Sequence, residues 1–144
     1  MKWLTRERVR IDRAACAWLI KRFIDPDAEF YFAAPTEAAE KARELGAIPF
    51  VVPGAEFSRR GQRISLDEII AKYGLTEPAI LMLADIVRAA DIRDAGNNIQ
   101  EAAGLAAILH GFFLLKQPDQ LTLDLELPLF DALYRYCQEQ IGRR

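Results

Sequence analysis

The densest group of side chains that could do chemistry lies between residues 6 and 25, where arginines, aspartates and a cysteine crowd into one short segment. Asp12 and Cys16 are four residues apart and therefore share one face of a helix. A thiol in the first turn of a helix, near arginines, has physical grounds for a depressed pKa, because the helix N-terminus and the cations both favour the thiolate. Cys16 also lies on an apolar stripe, so it is either a functional thiol or a small buried hydrophobic residue.

The same segment has the composition of an anion site. Arginine binds a tetrahedral oxyanion through charge-assisted, bidentate hydrogen bonds, and a helix N-terminus adds unpaired backbone N–H groups. A second basic spot spans residues 58–63 (S-R-R-G-Q-R), where three arginines surround Gly61. These arginines either grip a phosphate, a sulfate or an acidic partner, or they line a solvated hairpin.

Metal and histidine chemistry are poorly represented in the sequence. His110 is the single histidine, and its apolar and aromatic neighbours favour a packing or surface role over catalysis. With one histidine and two cysteines far apart in the chain, Cys16 and Cys137, a closed zinc site would need unusual ligands. We therefore expect no metal and no cofactor, and we interpret Cys137 as a packing residue.

The elements that position these residues can be predicted from periodicity and from helix breakers. Asp12 is a good N-cap for a helix whose apolar stripe runs to Ile24, and the Asp25-Pro26 pair ends that helix. Ser65 and Glu68 form a capping box that starts a later helix. The other predicted elements are strands at 2–8, 29–33 and 48–52, a strand or hairpin at 56–64, helices opening at 35 and 76, a loop at 96–98, and a largely apolar helix over 99–116 that we expect to lie centrally.

Residues 119–127 support two different predictions. Four leucines alternate there with period two, which is typical of a strand. Pro128, however, fits the first position of a final helix. We favour a helix from about residue 128 and leave 119–127 open.

These elements predict an α+β fold. Short strands with interleaved helices form a small sheet near the N-terminus, and the C-terminal half is helical. We find no internal repeat and no linker, so residues 1–144 are expected to form a single domain.

Composition excludes several classes of protein. Apolar residues make up 51% and charged residues 28% of the chain, which is typical of a soluble globular protein. A formal net charge of −2 argues against a nucleic-acid partner. The longest nearly apolar stretch, residues 102–115, is shorter than the roughly 20 residues of a spanning helix, so we expect no membrane partner. Two cysteines and a charged N-terminus without a signal peptide favour a reduced, cytoplasmic protein.

The run WLTRERVRIDRAACAWLIKRFIDPDAEFYF (residues 3–32) resembles the opening of the C-terminal domain of ChrB-type chromate-resistance proteins. The resemblance continues through GAIPFVVPGAEFS, KYGL, IVRAAD, EAAGL and FDALYRYC, and so covers essentially the whole chain. It implies an association with chromate resistance. The family's motif residues fall on Trp3, Arg6, Asp12, Arg13, Cys16, Trp18, Arg22, Asp25 and Asp91.

One departure from the family pattern bears on metal binding. The resemblance places a histidine of the family at Arg59 and a cysteine of the family at Ile64. Neither arginine nor isoleucine coordinates a metal, so any metal site of the family would be dismantled in this chain. If the two segments meet, Arg59 would instead add positive charge beside Cys16.

Three functions follow as hypotheses. The first is a chromate-resistance-type accessory or regulatory module that binds a chromate- or sulfate-like oxyanion near Cys16. The second is a thiol-dependent enzyme or sulfurtransferase accessory with Cys16 as its catalytic residue. The third is a non-catalytic interaction domain with a decayed metal site, which forms a homo-oligomer through its apolar C-terminal half. The predicted ligand-binding residues are Arg6, Asp12, Arg13, Cys16, Arg22, Asp25, Arg59 and Asp91.

Overall fold

The structure is a computed structural model that describes residues 1–52, 63–92 and 98–144. Most of the hairpin predicted at 56–64, including Arg59 and Gly61, lies outside the described residues. Residues 96 and 97 of the predicted loop also lie outside them.

Three parallel strands form a small sheet at the N-terminus. They are β1 (Lys2–Arg6), β2 (Glu29–Ala33) and β3 (Ile48–Pro49), in the order β2-β1-β3. Trp3 pairs with Phe30 on one side and with Ile48 on the other. The predicted β2 is confirmed, whereas β1 and β3 are shorter than expected. The proline in β3 is tolerated because this strand lies at an edge of the sheet.

Helices make up the rest of the described fold and confirm the predicted α+β class. The helices are α1 (Ile11–Leu19), α2 (Ala38–Leu45), α3 (Ser65–Lys72), α4 (Pro78–Asp91), α5 (Gln100–Leu115) and α6 (Asp119–Gly142). Helix α1 continues directly into a π-helical turn over Ile20–Ile24.

The sheet is covered on both faces, as parallel sheets usually are. Successive side chains of β1 point to opposite faces. Leu4 joins a small apolar cluster with Ala38 and Ala42 of α2. Trp3 joins the main core, which also contains buried residues of α1, α3, α4, α5 and α6. The carboxyl end of β1 therefore leads directly into α1 on the main-core face.

Two predictions about the C-terminal half need correction. Residues 119–127 are helical, and α6 begins at Asp119 and passes through Pro128 instead of starting there. A strand would place all four alternating leucines on one face, but Leu121 and Leu125 are exposed while Leu123 and Leu127 are buried, as on a helix. Helix α5 is not central: only three of its residues are buried, and Ile108 remains about half exposed.

Two predicted helix caps are also wrong. Arg10 is the N-cap of α1, and no side chain caps this end of the helix. Asp12 lies inside α1 and caps a different helix, as described below. In α3 the N-cap is Ile64, whose backbone N–H donates to Asp67 Oδ2 at 3.0 Å, so the capping interaction uses Asp67 instead of Glu68.

In the described part of the chain, we find no helix whose length and apolar character would let it cross a membrane.

Candidate functional site

Four arginines gather where β1 ends and α1 begins. We call Arg6, Arg8, Arg10 and Arg13 the arginine cluster. Asp119, at the start of α6, accepts hydrogen bonds from the backbone N–H groups of Arg8 (3.0 Å) and Val9 (2.8 Å). Arg8 has a φ of 63°, a left-handed conformation that arginine rarely adopts. The carboxylate of a distant helix therefore holds the loop that presents the cluster.

The arginine cluster carries positive charge that no described ion pair neutralises, although the carboxylates of Asp12 and Asp119 lie close enough to act on Arg13. Arg13 is 7% exposed, and one of its terminal nitrogens donates to the backbone carbonyl of Arg8. The Nε atoms of Arg13 and Arg6 are buried, and neither has a hydrogen-bond partner among residues 1–52, 63–92 and 98–144. Among the described residues, no carboxylate lies within ion-pair distance of any of the four guanidinium groups. Burial, and next the charge of Arg6, lower the pKa of Arg13 to about 10.

Asp12 is committed to structural hydrogen bonds. The backbone N–H groups of Ser65 and Leu66 donate to its two carboxylate oxygens at 3.0 and 3.2 Å. Asp12 thereby caps α3 from inside α1. Burial is the main reason that its pKa is raised, and the nearby charge of Asp91 acts in the same direction.

The expectation of a depressed pKa for Cys16 is wrong. The residue is fully buried, and its Sγ–H donates to Asp12 Oδ1 at 3.6 Å. Burial raises the pKa of the thiol well above its usual range, and the carboxylate of Asp12 raises it further. Cys16 lies in the second turn of α1 and faces carboxylates, not arginines, so neither predicted cause of thiolate stabilisation applies. Cys137 is buried too, as expected of a packing residue.

Two predicted site residues are occupied elsewhere. Arg22 makes two hydrogen bonds of 2.8 Å to Asp131 of α6. It follows Asp12 by ten residues, which is about 15 Å along a helix. Asp25 accepts from Trp3 Nε1 at 3.0 Å and lies 2.8 Å from the Met1 amino group. Both therefore lie beyond the opposite end of α1 from the arginine cluster.

The last two predicted site residues are Asp91 and Arg59. Asp91 ends α4, and its charge acts on both Asp12 and Cys16, so these three residues are neighbours. The structure thus brings together Arg6, Asp12, Arg13, Cys16 and Asp91. Arg59 lies outside the described residues.

A cavity of about 480 Å³ opens beside the arginine cluster. We call it the Phe113 cleft. The guanidinium carbons of Arg10 and Arg8 lie 4.4 and 4.6 Å from the centre of the Phe113 ring, and the His110 ring stacks on it at 5.9 Å. The cleft is lined by Arg10, Ile11, Ala90, Asp91, Ala106, Leu109, His110 and Phe113.

The predicted ligand-binding set left out Arg8 and Arg10, although both belong to the arginine-rich segment identified from the sequence, and it missed Phe113 and Asp119. The alternating arginines at 6, 8 and 10 were a visible signal, because they lead straight into a predicted helix. No local pattern points to Asp119 or Phe113, since each lies more than 100 residues along the chain from the residue it contacts, Val9 and Arg10 respectively.

The sequence comparisons agree with the resemblance described above. The model of the ChrB C-terminal domain family matches residues 3–137. The chain belongs to the ChrB C-terminal domain family. Protein ChrB of Cupriavidus metallidurans is 34% identical over 138 residues, which cover 94% of this chain. The chain spans 40% of the length of that relative. No solved structure matches the chain.

The structure places one of the two positions at which we expect a departure from the family pattern. Ile64, where the resemblance puts a cysteine of the family, is buried and immediately precedes Ser65, whose N–H donates to Asp12. An apolar side chain therefore stands beside the Asp12–Cys16 pair. Among the described residues, no three histidine, cysteine or acidic side chains are grouped as metal ligands would be.

Proposed function

We propose that this chain is a cytoplasmic, chromate-resistance-related module whose arginine cluster binds a tetrahedral oxyanion. The ChrB family supports the association with chromate resistance. The arginine cluster supports the chemistry, because chromate, molybdate and sulfate are tetrahedral dianions whose oxygens accept hydrogen bonds from guanidinium groups.

The observation that carries the proposal is a pair of buried donors without acceptors. Arg6 Nε and Arg13 Nε are both buried, and neither has a hydrogen-bond partner in the part of the chain that the structure describes. A buried donor without an acceptor costs roughly 1–3 kcal/mol, and more when the group is charged. An oxyanion at this point supplies acceptors and negative charge together, so binding removes both costs.

The topology supports the same location. The chain leaves β1 towards β2 on one side of the sheet and later adds β3 on the other. Strand order therefore changes direction at β1. In open parallel sheets, ligands bind beyond the carboxyl end of a strand at such a point, beside the N-terminus of the following helix. Here that position is occupied by Arg6 and by the start of α1, which no side chain caps.

The proposal includes binding but no reaction at Cys16. Sγ is fully buried and hydrogen-bonded to Asp12, and its raised pKa keeps it protonated at neutral pH. A thiol enzyme needs an accessible thiolate. The structure thus offers no support for the thiol-dependent alternative.

Thermal melts test the binding proposal. Wild type and Arg13→Gln are melted with sulfate, molybdate or chromate, and Arg135→Gln, a change at an exposed arginine of α6, is the matched control. An oxyanion at about 100 times its dissociation constant should stabilise wild type by about 2.7 kcal/mol, which raises Tm by several degrees. We expect Arg13→Gln to lose this shift and Arg135→Gln to keep it. No shift in wild type, or the same shift in all three proteins, contradicts the proposal.

We also propose that the module forms a homodimer through the outer face of α5. Ile108 and Leu115 are 52% and 62% exposed on this face, and the space beside Gly104 and Gly111 is open. Two antiparallel α5 helices related by a two-fold axis can place Gly104 opposite Leu115 and Ile108 opposite Gly111. Each large side chain then meets a glycine notch, which is the self-complementarity that a two-fold interface requires.

A further inference from the structure

We infer that the Phe113 cleft binds a small organic anion, with the anionic group at Arg10 and an apolar body against the aliphatic walls. This inference rests on the proposed function only in that Arg10 belongs to both sites. It differs in the ligand, which is an organic molecule and not a bare oxyanion.

The size of the cleft excludes an inorganic oxyanion as its full occupant. Its volume is about 480 Å³. A tetrahedral oxyanion takes the space of only a few water molecules, each about 30 Å³. The cleft instead falls in the range of small-molecule sites, about 300–1,000 Å³.

The walls divide into an apolar and a polar part. Five of the lining residues are apolar and come from α1, α4 and α5: Ile11, Ala90, Ala106, Leu109 and Phe113. The polar lining groups are Arg10, His110 and Asp91. The lining surface is about evenly divided between polar and apolar atoms. In such a site the apolar residues give affinity for an organic body and the polar groups fix its orientation.

The charge around the cleft favours an anion. Arg10 stacks over the Phe113 ring, and stacking covers the face of a guanidinium while its N–H edge stays available to an acceptor. Arg10 has no ion-pair partner within the described ranges. Asp91 contributes one negative charge to the wall. Asp12 and Asp119 are also close to the cluster. The four arginines outnumber these three carboxylates, so the anionic group belongs at the Arg10 end.

Calorimetric titration with three probes tests the inference. The probes are naphthalene-2-sulfonate, which has both an anionic group and an apolar body, neutral 2-naphthol, and inorganic sulfate. We expect naphthalene-2-sulfonate to bind wild type about tenfold or more tightly than 2-naphthol does, because a neutral hydroxyl cannot replace a charge-assisted pair.

Variants locate the binding. Ala106→Phe fills the cleft from its α5 wall, and Arg10→Gln removes the exposed cation without touching the core. Each should weaken naphthalene-2-sulfonate binding about tenfold or more, whereas Ala132→Phe, at an exposed alanine of α6, should not. Absence of binding to wild type, equal affinity for 2-naphthol, or unchanged affinity in Arg10→Gln overturns the inference.

The two proposals fail separately. Ala106→Phe should abolish naphthalene-2-sulfonate binding while the sulfate- or molybdate-induced Tm shift remains. Arg13→Gln should abolish that Tm shift. If naphthalene-2-sulfonate binds and no inorganic oxyanion does, the cleft is a ligand site and the oxyanion proposal is wrong. The opposite result retains the oxyanion proposal and rejects the cleft.

Discussion

Glu126 is a buried carboxyl group that takes no part in the proposed site. It is 1% exposed on α6, and its Oε1 has no hydrogen-bond partner within the described ranges of the chain. Burial raises the pKa of Glu126 from its ordinary 4.5 to about 8. The carboxyl group is therefore protonated at neutral pH in the folded protein, whereas in the unfolded chain it is ionised.

We predict that Glu126→Gln reduces the loss of stability that accompanies a rise in pH from about 4.5 to 8. Between about pH 4.5 and 8 the folded state holds a proton that the unfolded state has released, so stability falls as pH rises. The slope approaches about 1.4 kcal/mol per pH unit in that window, and the contribution is fully retained only below it. Glutamine cannot ionise, so the variant should lack this slope.

Urea unfolding of both proteins at several pH values across that window measures the effect. The matched control is Glu139→Gln, at an exposed glutamate of the same helix. It should follow the pH dependence of wild type. If Glu126→Gln and wild type lose stability in parallel as pH rises, Glu126 does not carry the buried proton.

At the scale of the elements, Asp12 joins two helices. It belongs to α1, yet its carboxylate accepts the first backbone N–H groups of α3, from Ser65 and Leu66. A helix N-terminus has unpaired donors, and here a neighbouring helix satisfies them instead of the local sequence. This contact fixes the position of α3 on α1.

We predict that Asp12→Ala destabilises the protein by about 3 kcal/mol, because it removes a cap and leaves buried N–H groups without acceptors. Asp85→Ala removes an exposed partner of Arg88 and should cost no more than about 1 kcal/mol. Chemical denaturation of the two variants gives the comparison. Equal losses would mean that the Asp12 contact contributes no more than a surface ion pair.

Helix α6 shows how packing overrides a local pattern. The alternating leucines before Pro128 match a strand, which would place all four on one face. In the structure Leu123 and Leu127 are buried while Leu121 and Leu125 are exposed, as expected of a helix that buries one stripe. Pro128 is exposed and interrupts only one backbone hydrogen bond, a cost that this burial offsets.

At the scale of the whole molecule, the proposed α5 interface determines the oligomeric state. We predict that wild type is dimeric by light scattering at submillimolar concentration, and that Ile108→Glu and Gly111→Leu are monomeric. The open space at Gly111 means that leucine there should not disturb the protomer. The change fills the notch that the partner's Ile108 requires.

The control for the interface is Leu81→Glu, at an exposed leucine of α4. It should leave the dimer intact. A monomeric wild type rejects the interface, and a dimer that persists in Gly111→Leu places the contact on another surface.

The sequence by itself determined the features that depend on near neighbours. Hydrophobic periodicity and breakers located β2, α4 and α5, and the motif run at the N-terminus identified the ChrB family. The arginine-rich segment was visible for the same reason, since Arg6 and Arg13 are close along the chain. Short-range patterns of this kind need no knowledge of the fold.

Only the tertiary structure decided which of those residues form a site. Asp119 accepts a hydrogen bond from Val9, which lies 110 residues earlier in the chain. Asp131 binds Arg22, which lies 109 residues earlier. Asp12 accepts a hydrogen bond from the first residue of α3, 53 residues later in the chain, and Cys16 is buried near several carboxylates. A side chain's partners and its burial depend on which distant segments pack against it. The spacing of residues along the chain does not determine that packing. The raised pKa of Cys16 and the pairing of Arg22 with Asp131 therefore could not be predicted from the sequence.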